Sequence, residues 1–514
     1  MTLARTHSVT LVGVEGHLVE VEADIANGLP ATILVGLPDT ALREARDRIR
    51  AAIVNSERQW PKTKITIGLS PANLPKRGSG FDLAIAIAVL AAAEDVLPPD
   101  APAGIVFLAE LGLDGRLRPV PGVLPAVAAI AASGMETVVV AAENHAEAAL
   151  VPGLTVVAAH NLGQVIDWLR GGPFPTVTIP PPSHHPSGDG AARRKDLDLA
   201  EVLGQPEARM AAEICAAGGH NLSLLGPPGA GKTMLAERLP TILPELDRSA
   251  ALEVTSIHSV AGALPAGSGL IGSPPFCAPH HTASKAAIVG GGTGTLKPGA
   301  ASLAHLGILF LDEAPEFARD VLDALRQPLE AGEIVISRSG MRATFPARFT
   351  MVLAANPCPC AKAGSGAAGC DCSPASKRRY LGRLSGPLLD RVDVKVELMP
   401  VTRRDMLYDR QYAETSATVA GRVAAARARA AVRLRDTPWR VNAQIPGAEL
   451  RRSFAPVPGA LRSLAQAMEL GQVTARGADK IVRVAWSVAD LAGKQQPGID
   501  EVNTAIGLWL GVRR

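Results

Sequence analysis

The stretch Gly226-Pro-Pro-Gly-Ala-Gly-Lys-Thr233 lies near the middle of this 514-residue chain. It fits the pattern G-x-x-x-x-G-K-[ST], in which backbone N–H groups and the N-terminus of a following helix form a cradle for phosphate groups. The apolar run at 221–225 is typical of a strand, and the pattern at 234–243 is typical of a helix. Because the motif needs this strand–loop–helix setting, the sequence predicts a nucleoside triphosphate site.

The residues of this loop have separate predicted roles. The glycines at 226, 229 and 231 allow backbone angles and a close approach that a side chain would prevent. Lys232 would place its positive charge on the β- and γ-phosphates, and Thr233 would give its hydroxyl to Mg²⁺. The predicted nucleotide-binding residues are Gly226, Pro227, Pro228, Gly229, Ala230, Gly231, Lys232, Thr233 and, further along the chain, Asp312.

Two more predicted strands end in polar residues. The apolar run 308–311 leads into Asp312 and Glu313, and the run 352–355 leads into Asn356. We predict that Asp312 holds the metal, directly or through water, and that Glu313 orients or deprotonates the attacking water. In a sheet built around this loop, Asn356 would lie beside the γ-phosphate as a sensor. The alternative for Asn356 is an ordinary turn, since Asn-Pro is a turn signal.

Length and composition indicate a multi-domain globular protein. A chain of 514 residues is too long for one core and suggests about three domains. We predict a mixed α/β domain at residues 1–170, a Pro- and Gly-rich linker at 171–195, an α/β nucleotide-binding core at 196–400 and a helical domain at 401–514.

The sequence gives no sign of membrane insertion or export. Its longest uncharged apolar run, 83–93, is shorter than the ~20 residues that span a bilayer. The N-terminal segment MTLARTHSV lacks the apolar core of a signal peptide. We therefore predict a cytoplasmic protein without a membrane partner.

The net charge of +3 is unevenly distributed. Residues 1–170 hold 13 Lys and Arg against 18 Asp and Glu, whereas residues 337–514 hold 28 against 14. A basic C-terminal third in a nucleotide hydrolase favours a polyanionic partner such as DNA. The alternative is that these arginines lie on solvated helices or pair with acidic parts of the chain, and charge alone does not separate the two.

Four of the six cysteines fall within fifteen residues, as Cys358, Cys360, Cys370 and Cys372. Disulfides are disfavoured in a cytosolic protein, so clustered thiols favour structural Zn²⁺. The C-x-C spacing differs from the commoner C-x-x-C pairs, and free or redox-active thiols are the alternative. A bound zinc would shape the adjoining basic loop at 377–379 without taking part in the chemistry.

Several motifs, taken in chain order, resemble one family. They are Asp198-Leu-Ala-Glu-Val-Leu-Gly-Gln205, Pro279-His-His-Thr282, Gly290-Gly-Gly292, Ser302-Leu-Ala-His305, Asn356-Pro-Cys-Pro-Cys360 and Ser385-Gly-Pro-Leu-Leu-Asp-Arg391. This succession resembles the magnesium-chelatase-like AAA+ ATPases of the ComM/YifB group, and the resemblance runs nearly from end to end.

The resemblance implies an AAA+ core with two additional elements. One is an insert around 290–299 that carries Lys285 and Lys297, and the other is a hairpin at 333–345 with Arg338 and Arg342. In related helicases such elements line a central pore and grip nucleic acid. A flexible surface loop is the alternative for the glycine-rich insert.

The same resemblance implies two arginines that complete the site. Arg391 matches the arginine finger that reaches the γ-phosphate of the neighbouring subunit, which implies a ring, by resemblance a hexamer. Arg476 matches the sensor 2 arginine of a helical lid, and Arg483 is a less suitable substitute on the same helix. With Lys232, Glu313 and Asn356, these complete the predicted catalytic set.

Residues 1–170 resemble the Lon-protease-like α+β fold. A Lon-type protease needs a Ser–Lys dyad, but its serine motif laid on 77–80 puts glycine at or next to the nucleophile, with Ser79 one place away. The predicted helix after Gly122 contains no lysine. Because a serine without a general base is not activated, we predict no peptidase activity and a scaffolding or DNA-clamping role.

Three functions follow as hypotheses. The leading one is a DNA-dependent ATPase that translocates on DNA and migrates branched intermediates in recombination or natural transformation. The second is a magnesium-chelatase-type motor that inserts a metal into a tetrapyrrole with partner subunits. The third is a protein-remodelling ATPase or protease, which the missing dyad disfavours.

Overall fold

The computed structural model describes residues 2–36, 40–76, 78–94, 97–176, 197–265, 267–292, 296–338, 341–360 and 370–511. Over these residues the chain is a mixed α/β protein with several domains, as predicted. The predicted linker at 171–195 falls mostly on 177–196, which lie outside the described residues.

The N-terminal part is built on a sheet in which seven described strands are ordered β3-β4-β2-β1-β5-β8-β9. Its strands are β1 (Thr2–Val12), β2 (Glu15–Ala26), β3 (Ala31–Val35), β4 (Lys64–Ser70), β5 (Ile105–Leu108), β8 (Thr137–Ala141) and β9 (Thr155–Ala159), and the short pair β6 (Glu110–Leu111) and β7 (Leu117–Arg118) lies beside it. The helices are α1 (Thr40–Asn55), α2 (Asp82–Ala92), α3 (Val123–Ala132), α4 (His145–Ala148) and α5 (Leu162–Leu169).

Helix α2 shows why this first sheet has a core despite few aromatic residues. All eleven of its residues are buried, and a helix that is apolar on every side belongs in an interior. It packs against β1 and β2, which pair antiparallel over their whole length. Strand β3, which the sequence analysis had not identified, is an edge strand of the sequence Ala-Thr-Ile-Leu-Val in which exposed and half-buried residues alternate.

The second sheet orders five described strands as β11-β12-β15-β10-β16, all parallel to their neighbours. They are β10 (Leu222–Leu225), β11 (Phe276–Cys277), β12 (Ile308–Leu311), β15 (Thr350–Ala355) and β16 (Val394–Glu397), and β13 (Glu333–Arg338) and β14 (Met341–Pro346) form a separate hairpin. The helices of this part are α6 (Pro206–Gly218), α7 (Lys232–Arg238), α8 (Arg248–Ala261), α9 (Lys285–Val289), α10 (Ala300–Leu303), α11 (Arg319–Ala324), α12 (Arg326–Ala331), α13 (Pro374–Leu381) and α14 (Gly386–Leu389).

Parallel strands bring the predicted site residues to one place. The strands β12, β15 and β10 are neighbours, so their carboxyl ends, followed by Asp312, Asn356 and Gly226, meet at one edge of the sheet. The predicted helix at 234–243 is shorter than expected. It begins at Lys232 and gives way to a tight turn at Leu239–Ile242, where Pro240 cannot supply a helical N–H.

The C-terminal part is helical over its described residues. Its helices are α15 (Arg403–Asp409), α16 (Ser416–Arg433), α17 (Gly447–Arg452), α18 (Arg462–Glu469), α19 (Ala475–Leu491) and α20 (Ile499–Leu510). Helix α19 lies at the centre, against α6, α16 and α20, with Trp486 buried in the shared core. Arg433 forms two hydrogen bonds with the carboxylate of Asp490 and also stacks over Trp486.

The N-terminal part packs directly on the nucleotide-binding part. Helix α3 lies against α8, and the N–H of Gly122 donates to the carbonyl of Ser259 at 3.1 Å. The turn between β1 and β2 places Leu11 and Val12 against the fully buried ring of Phe345 on β14. No helix in the described ranges combines the length and the apolar composition needed to cross a membrane.

Candidate active site

The loop at 226–233 connects β10 to α7, as its motif predicts. Gly229 and Gly231 adopt φ of +77° and +93°, which other residues adopt only with strain. At Gly226 a Cβ would lie 2.6 Å from the carbonyl oxygen of Leu398, so the neighbouring chain excludes a side chain there. These glycines have the two roles that the sequence analysis assigned to them, backbone freedom and close approach.

Gln205 is a residue of the site that the sequence analysis did not single out for a role. Its buried side-chain amide donates to the carbonyl of Ala230 in the loop at 3.1 Å and to that of Met399 at 2.7 Å. It thus ties the loop to the segment that follows β16. A glutamine that immediately precedes a helix with proline at its first turn carries no motif, so the sequence offered no signal for this contact.

The ammonium group of Lys232 points into the loop. It donates to the carbonyl oxygens of Gly226 at 2.6 Å and Pro227 at 3.0 Å, and to the side-chain oxygen of Asn356 at 3.0 Å. Burial lowers the pKa of Lys232, whereas the nearby carboxylates of Asp312 and Glu313 raise it. Folding therefore brings Lys232 into contact with Asn356, the predicted sensor, although the two are 124 residues apart in the chain.

Thr233 and Asp312, the two predicted magnesium ligands, contact each other. The Thr233 hydroxyl donates to one carboxylate oxygen of Asp312 at 2.7 Å, and the other oxygen accepts the backbone N–H of Glu313 at 2.9 Å. A hydroxyl and a carboxylate are hard oxygen donors of the kind that Mg²⁺ binds together with phosphates and water. These residues fit Mg²⁺, which when bound would neutralise developing charge on the phosphates.

Glu313 has an unusual backbone conformation and an unexpected partner. Its φ is +49°, in the left-handed region that costs a non-glycine residue of order 1 kcal/mol or more. Its carboxylate Oε2 lies 3.4 Å from Nδ1 of His281, whose ring stacks on that of His280 at 4.1 Å between centroids. The sequence analysis used these histidines only as a family motif and gave them no role.

Tyr380 is a second residue whose part in the site the sequence analysis missed. It lies on α13, is 5% exposed, and its hydroxyl lies close to the backbone of Asn356. Burial raises the pKa of Tyr380 to about 12, and the charges of Glu316 and Glu313 act in the same direction. The tyrosine remains neutral at physiological pH and supports the strand end that carries Asn356.

Three family models match this chain in separate blocks. The model described as "Magnesium chelatase, subunit ChlI" matches residues 198–406, which hold the loop and both strand-end acids. "Subunit ChlI of Mg-chelatase" matches residues 21–144, and "Magnesium chelatase, subunit ChlI C-terminal" matches residues 413–508.

Comparison with individual proteins gives full-length relatives. An uncharacterized protein of Mycobacterium tuberculosis is 51% identical, and competence protein ComM of Haemophilus influenzae is 41% identical, with at least 98% of each chain covered. A "Magnesium-chelatase 38 kDa subunit" of Rhodobacter capsulatus is 27% identical over 34% of this chain and 53% of its own. The chain belongs to the ComM/YifB family of magnesium-chelatase-like AAA+ ATPases.

Membership in this family of ATPases implies ATP and Mg²⁺ as its nucleotide and metal. The residues around the loop agree with both, because Lys232, Thr233 and Asp312 supply the cation and the oxygen donors that a magnesium nucleotide requires.

Arg391 lies away from the phosphate-binding loop. Its carbonyl accepts from Asn221, the residue that precedes β10, and its guanidinium pairs with Glu330. The loop follows the other end of β10, and a strand of four residues spans ~13 Å. Arg391 is therefore at the edge of the sheet opposite the nucleotide site.

The two candidates for a sensor arginine differ in exposure. Arg476 is exposed in the first turn of α19, and its role stays a prediction. Arg483 donates to the carbonyl of Ile445 at 2.7 Å, and burial lowers its pKa. Arg483 is thus part of the packing between helices, which agrees with its lower rank in the sequence analysis.

The four clustered cysteines converge although nine residues between them, 361–369, lie outside the described part of the chain. Their sulfur atoms all lie within 4.8 Å of one another, with Cys358 fully buried. Cys360 is 3.2 Å from Cys358 and 3.4 Å from Cys370, sulfur to sulfur. Four thiolates bound to one tetrahedral Zn²⁺ at Zn–S distances of ~2.3 Å must have their sulfur atoms close together, as these four are. The cluster therefore fits this metal.

Ion pairs occupy many basic side chains of the C-terminal third. They are Arg383–Glu316, Arg391–Glu330, Arg422 with Glu213 and Glu414, Arg433–Asp490, Arg451–Asp479, Lys480–Asp393 and Lys494–Glu501. The charge excess of this third therefore overstates its capacity to attract a polyanion. The alternative reading, that arginines pair with acidic parts of the chain, accounts for these residues.

In the N-terminal part, Ser79 and Lys76 have other partners than each other. The Ser79 hydroxyl donates to the carboxylate of Glu110, and the fully buried ammonium of Lys76 donates to the carbonyl of Pro71. Burial lowers the pKa of Lys76. The expected lack of peptidase activity stays a prediction, and these contacts supply no Ser–Lys pair that would oppose it.

Proposed function

We propose that this ATPase is a DNA motor that works as a ring, by family resemblance a hexamer, in the cytoplasm. ATP hydrolysis at the Lys232 site would drive translocation on DNA and migrate branched intermediates in recombination or natural transformation. Within the site, Glu313 activates the attacking water, Asn356 senses the γ-phosphate, and Arg476 contacts the nucleotide from the helical part as a lid.

The observation that carries the DNA proposal is a cationic surface shared by two elements. The insert closes on itself through two backbone hydrogen bonds between Gly291 and Lys297, of 3.0 and 2.9 Å. It contacts the β13–β14 hairpin at Ile336. Gly290 lies so close to this residue that a Cβ added to the glycine would be 2.9 Å from Cδ1 of Ile336. Lys285, Lys297 and Arg342 are exposed on these joined elements.

The sequence around this surface holds one acidic residue, Glu333 at the start of β13. No Asp or Glu occurs from residue 254 to 311, or from residue 334 to 370. The side chain of Arg338 and residues 293–295 and 339–340 lie outside the described part of the chain. Unlike the arginines of the C-terminal third that pair with Glu213, Glu330 and Asp490, these cations form no ion pair among the described residues, which favours binding to phosphate groups.

The N-terminal part supports the same surface from behind. Leu11 and Val12, at the turn between β1 and β2, pack on Phe345 of the hairpin together with Val260. A hairpin that binds DNA while the motor moves along it must keep its position relative to the rest of the protein. This contact supports a scaffolding role for the Lon-like domain.

DNA should stimulate the ATPase. We expect ATP turnover by the full chain to rise with single-stranded DNA or a four-way junction, and binding to weaken steeply as salt increases, because phosphate contacts release counterions. The measurement compares single-stranded, duplex and four-way-junction DNA at several salt concentrations. The variant Lys285→Ala/Lys297→Ala/Arg342→Ala should lose stimulation, whereas Arg435→Ala, which changes an exposed basic residue in the turn after α16, should retain it. If no DNA binds or raises turnover, the proposal fails.

A magnesium-chelatase-type motor is the second candidate, because the matching family models are named for that enzyme. The alignment with the Rhodobacter capsulatus subunit covers only a third of this chain, which favours the DNA motor. The same turnover measurement separates the two, since a chelatase motor should be indifferent to DNA and respond only to its partner subunits. A protein-remodelling ATPase, the third hypothesis, has no observation in its favour.

We also propose that Cys358, Cys360, Cys370 and Cys372 hold a structural Zn²⁺. Two observations support this: all four sulfurs converge, and the cluster joins the segment after Asn356 to helix α13, which carries Tyr380. A bound zinc would fix the loop that connects the sensor to its supporting tyrosine. It would contribute to folding and would take no part in hydrolysis.

Zinc should be present in the protein as isolated from cells. We expect about one zinc per chain by elemental analysis, as in four-thiolate structural sites. The double variant Cys370→Ser/Cys372→Ser should lose the metal and unfold at a lower temperature. Cys277→Ser, a change outside the cluster, should retain it. Wild-type protein without zinc, and with four thiols that react readily, would contradict the proposal and favour redox-active cysteines.

A further inference from the structure

A basic groove lies in the N-terminal part, between helix α1 and the edge strand β3. It has a volume of about 740 Å³. Its walls are the start of β3 with the residue before it, one side of α1, and the segment 58–63. The motor proposed above makes no use of this groove. Its ligand can be inferred from two features, a row of cations and a free strand edge.

Four basic side chains line the groove, namely Arg46 and Arg50 on α1, and Arg58 and Lys62 after it. Residues 46 and 50 lie on the same side of α1, one above the other, at a spacing of ~6 Å along the helix. Arg46 pairs with Asp47 at 3.0 Å, whereas Arg50 and Lys62 form no ion pair among the described residues. The groove therefore holds four cations against one carboxylate and favours an anionic ligand.

Strand β3 offers a free edge beside these cations. It pairs only with β4 among the described strands, so the backbone N–H and C=O groups of its outer edge are open to a further strand. Leu34 packs on the core to which Ile49 and Ile53 of α1 belong. Its neighbours Ile33 and Val35 are 43% and 49% exposed. Because side chains alternate along a strand, these two lie on the opposite face from α1.

Two observations favour a peptide over DNA as the ligand. Residues 1–170 hold 13 Lys and Arg against 18 Asp and Glu, so a long polyanion that extended beyond the groove would meet repulsion. The groove also lies at the end of β2 away from the turn that contacts the hairpin. Ala26 at that end pairs with Lys64, next to the groove, and the length of β2 is ~36 Å. The groove is thus remote from the proposed DNA-binding surface.

We propose that this groove binds an extended acidic segment of a partner protein, which adds to β3 as a further strand. Alternate residues of a strand are ~6.6 Å apart, close to the ~6 Å between Arg46 and Arg50. Carboxylates at every second position can therefore pair with both arginines. The side chains between them point to the opposite face, where apolar residues pack beside Ile33 and Val35. Backbone hydrogen bonds to β3 supply affinity, and the alternation supplies selectivity.

The first test measures binding of a fluorescein-labelled peptide to the full chain by fluorescence polarisation, without ATP or DNA. The peptide has about six residues, with glutamate at every second position and valine between, to match the length of the groove. Arg46→Ala/Arg50→Ala should weaken binding roughly tenfold, the size expected for two exposed ion pairs. Arg116→Ala, an exposed arginine in the turn between β6 and β7, should bind as wild type. No binding by wild type, or equal binding of a peptide with glutamine in place of glutamate, would overturn the proposal.

The second test examines the addition of a strand with wild-type protein and two methylated peptides. In one, the backbone nitrogens of the odd-numbered residues are methylated, and in the other those of the even-numbered residues. Only one set of N–H groups of an added strand faces β3, so one peptide should bind roughly tenfold more weakly, as expected for loss of about two backbone hydrogen bonds. The other should bind like the unmethylated peptide. Equal binding of both would overturn strand addition.

Single-stranded DNA is the competing ligand, and the same assay tests it. A DNA strand that displaces the peptide, and whose own binding weakens in Arg46→Ala/Arg50→Ala, would overturn the peptide assignment in favour of a nucleic-acid site. Because the peptide is measured without nucleotide or DNA, its failure to bind would leave the proposed motor standing. Failure of DNA to stimulate ATP turnover would likewise leave the groove's role intact.

Discussion

Replacing Glu313 by glutamine should give a protein that binds ATP and hydrolyses it about 10²- to 10⁴-fold more slowly, the range for loss of a general base. Glutamine keeps the shape of the side chain but cannot take a proton from water. Lys232, Thr233 and Asp312, which hold the phosphates and the metal, are unchanged. The measurement is single-turnover hydrolysis alongside equilibrium binding of ATP, and the slow variant should accumulate as an assembled ring.

Glu316 offers a matched control for this change. It lies three residues further on, pairs with Arg383 at 2.8 Å and is exposed, so Glu316→Gln should hydrolyse ATP at close to the wild-type rate. Normal turnover by Glu313→Gln would reject Glu313 as the base. Loss of binding would show that the carboxylate supports the site structurally.

Replacing Arg391 by alanine should lower turnover about 10³-fold or more, the range reported for arginine fingers. The variant Lys232→Ala should not bind nucleotide and should also be inactive. Because Arg391 lies at the sheet edge opposite its own site, we expect it to serve a neighbouring subunit. An equal mixture should therefore regain activity at about one quarter of its sites, where an intact lysine meets an intact finger across a head-to-tail interface.

Recovery of ATP turnover in this mixture shows whether Arg391 acts on the site of a neighbouring subunit or on the site of its own subunit. Two inactive variants that each supplied all groups of their own site would stay inactive when mixed, and that outcome would reject the trans assignment. Arg383→Ala removes another exposed arginine, which pairs with Glu316, and should keep its activity, alone and in mixtures.

Residues that belong to contiguous motifs could be predicted from the sequence. The loop at 226–233 and the strand-end residues Asp312 and Asn356 each combine a local pattern with a functional residue, and parallel strand pairing then requires them to meet. The hydrogen bonds from Lys232 to Asn356 and from Thr233 to Asp312 agree with the roles assigned to these residues.

Residues that act through tertiary contact could not be predicted in the same way. No local signal marks the contacts of Gln205, Tyr380 and His281, because each contact depends on which strand end or loop lies next to the residue after folding. The charge excess of the C-terminal third was also ambiguous. Only the positions of partners such as Glu213 and Asp490 decide which arginines are neutralised.

The sequence by itself determined that this chain is a P-loop ATPase of a known family, because phosphate binding depends on a short contiguous run of glycines, lysine and threonine. The tertiary structure alone decided that Arg391 lies opposite its own nucleotide site and that His281 lies on Glu313. Both facts follow from the order and direction of the strands in the sheet, which bring distant segments to one edge or keep them apart.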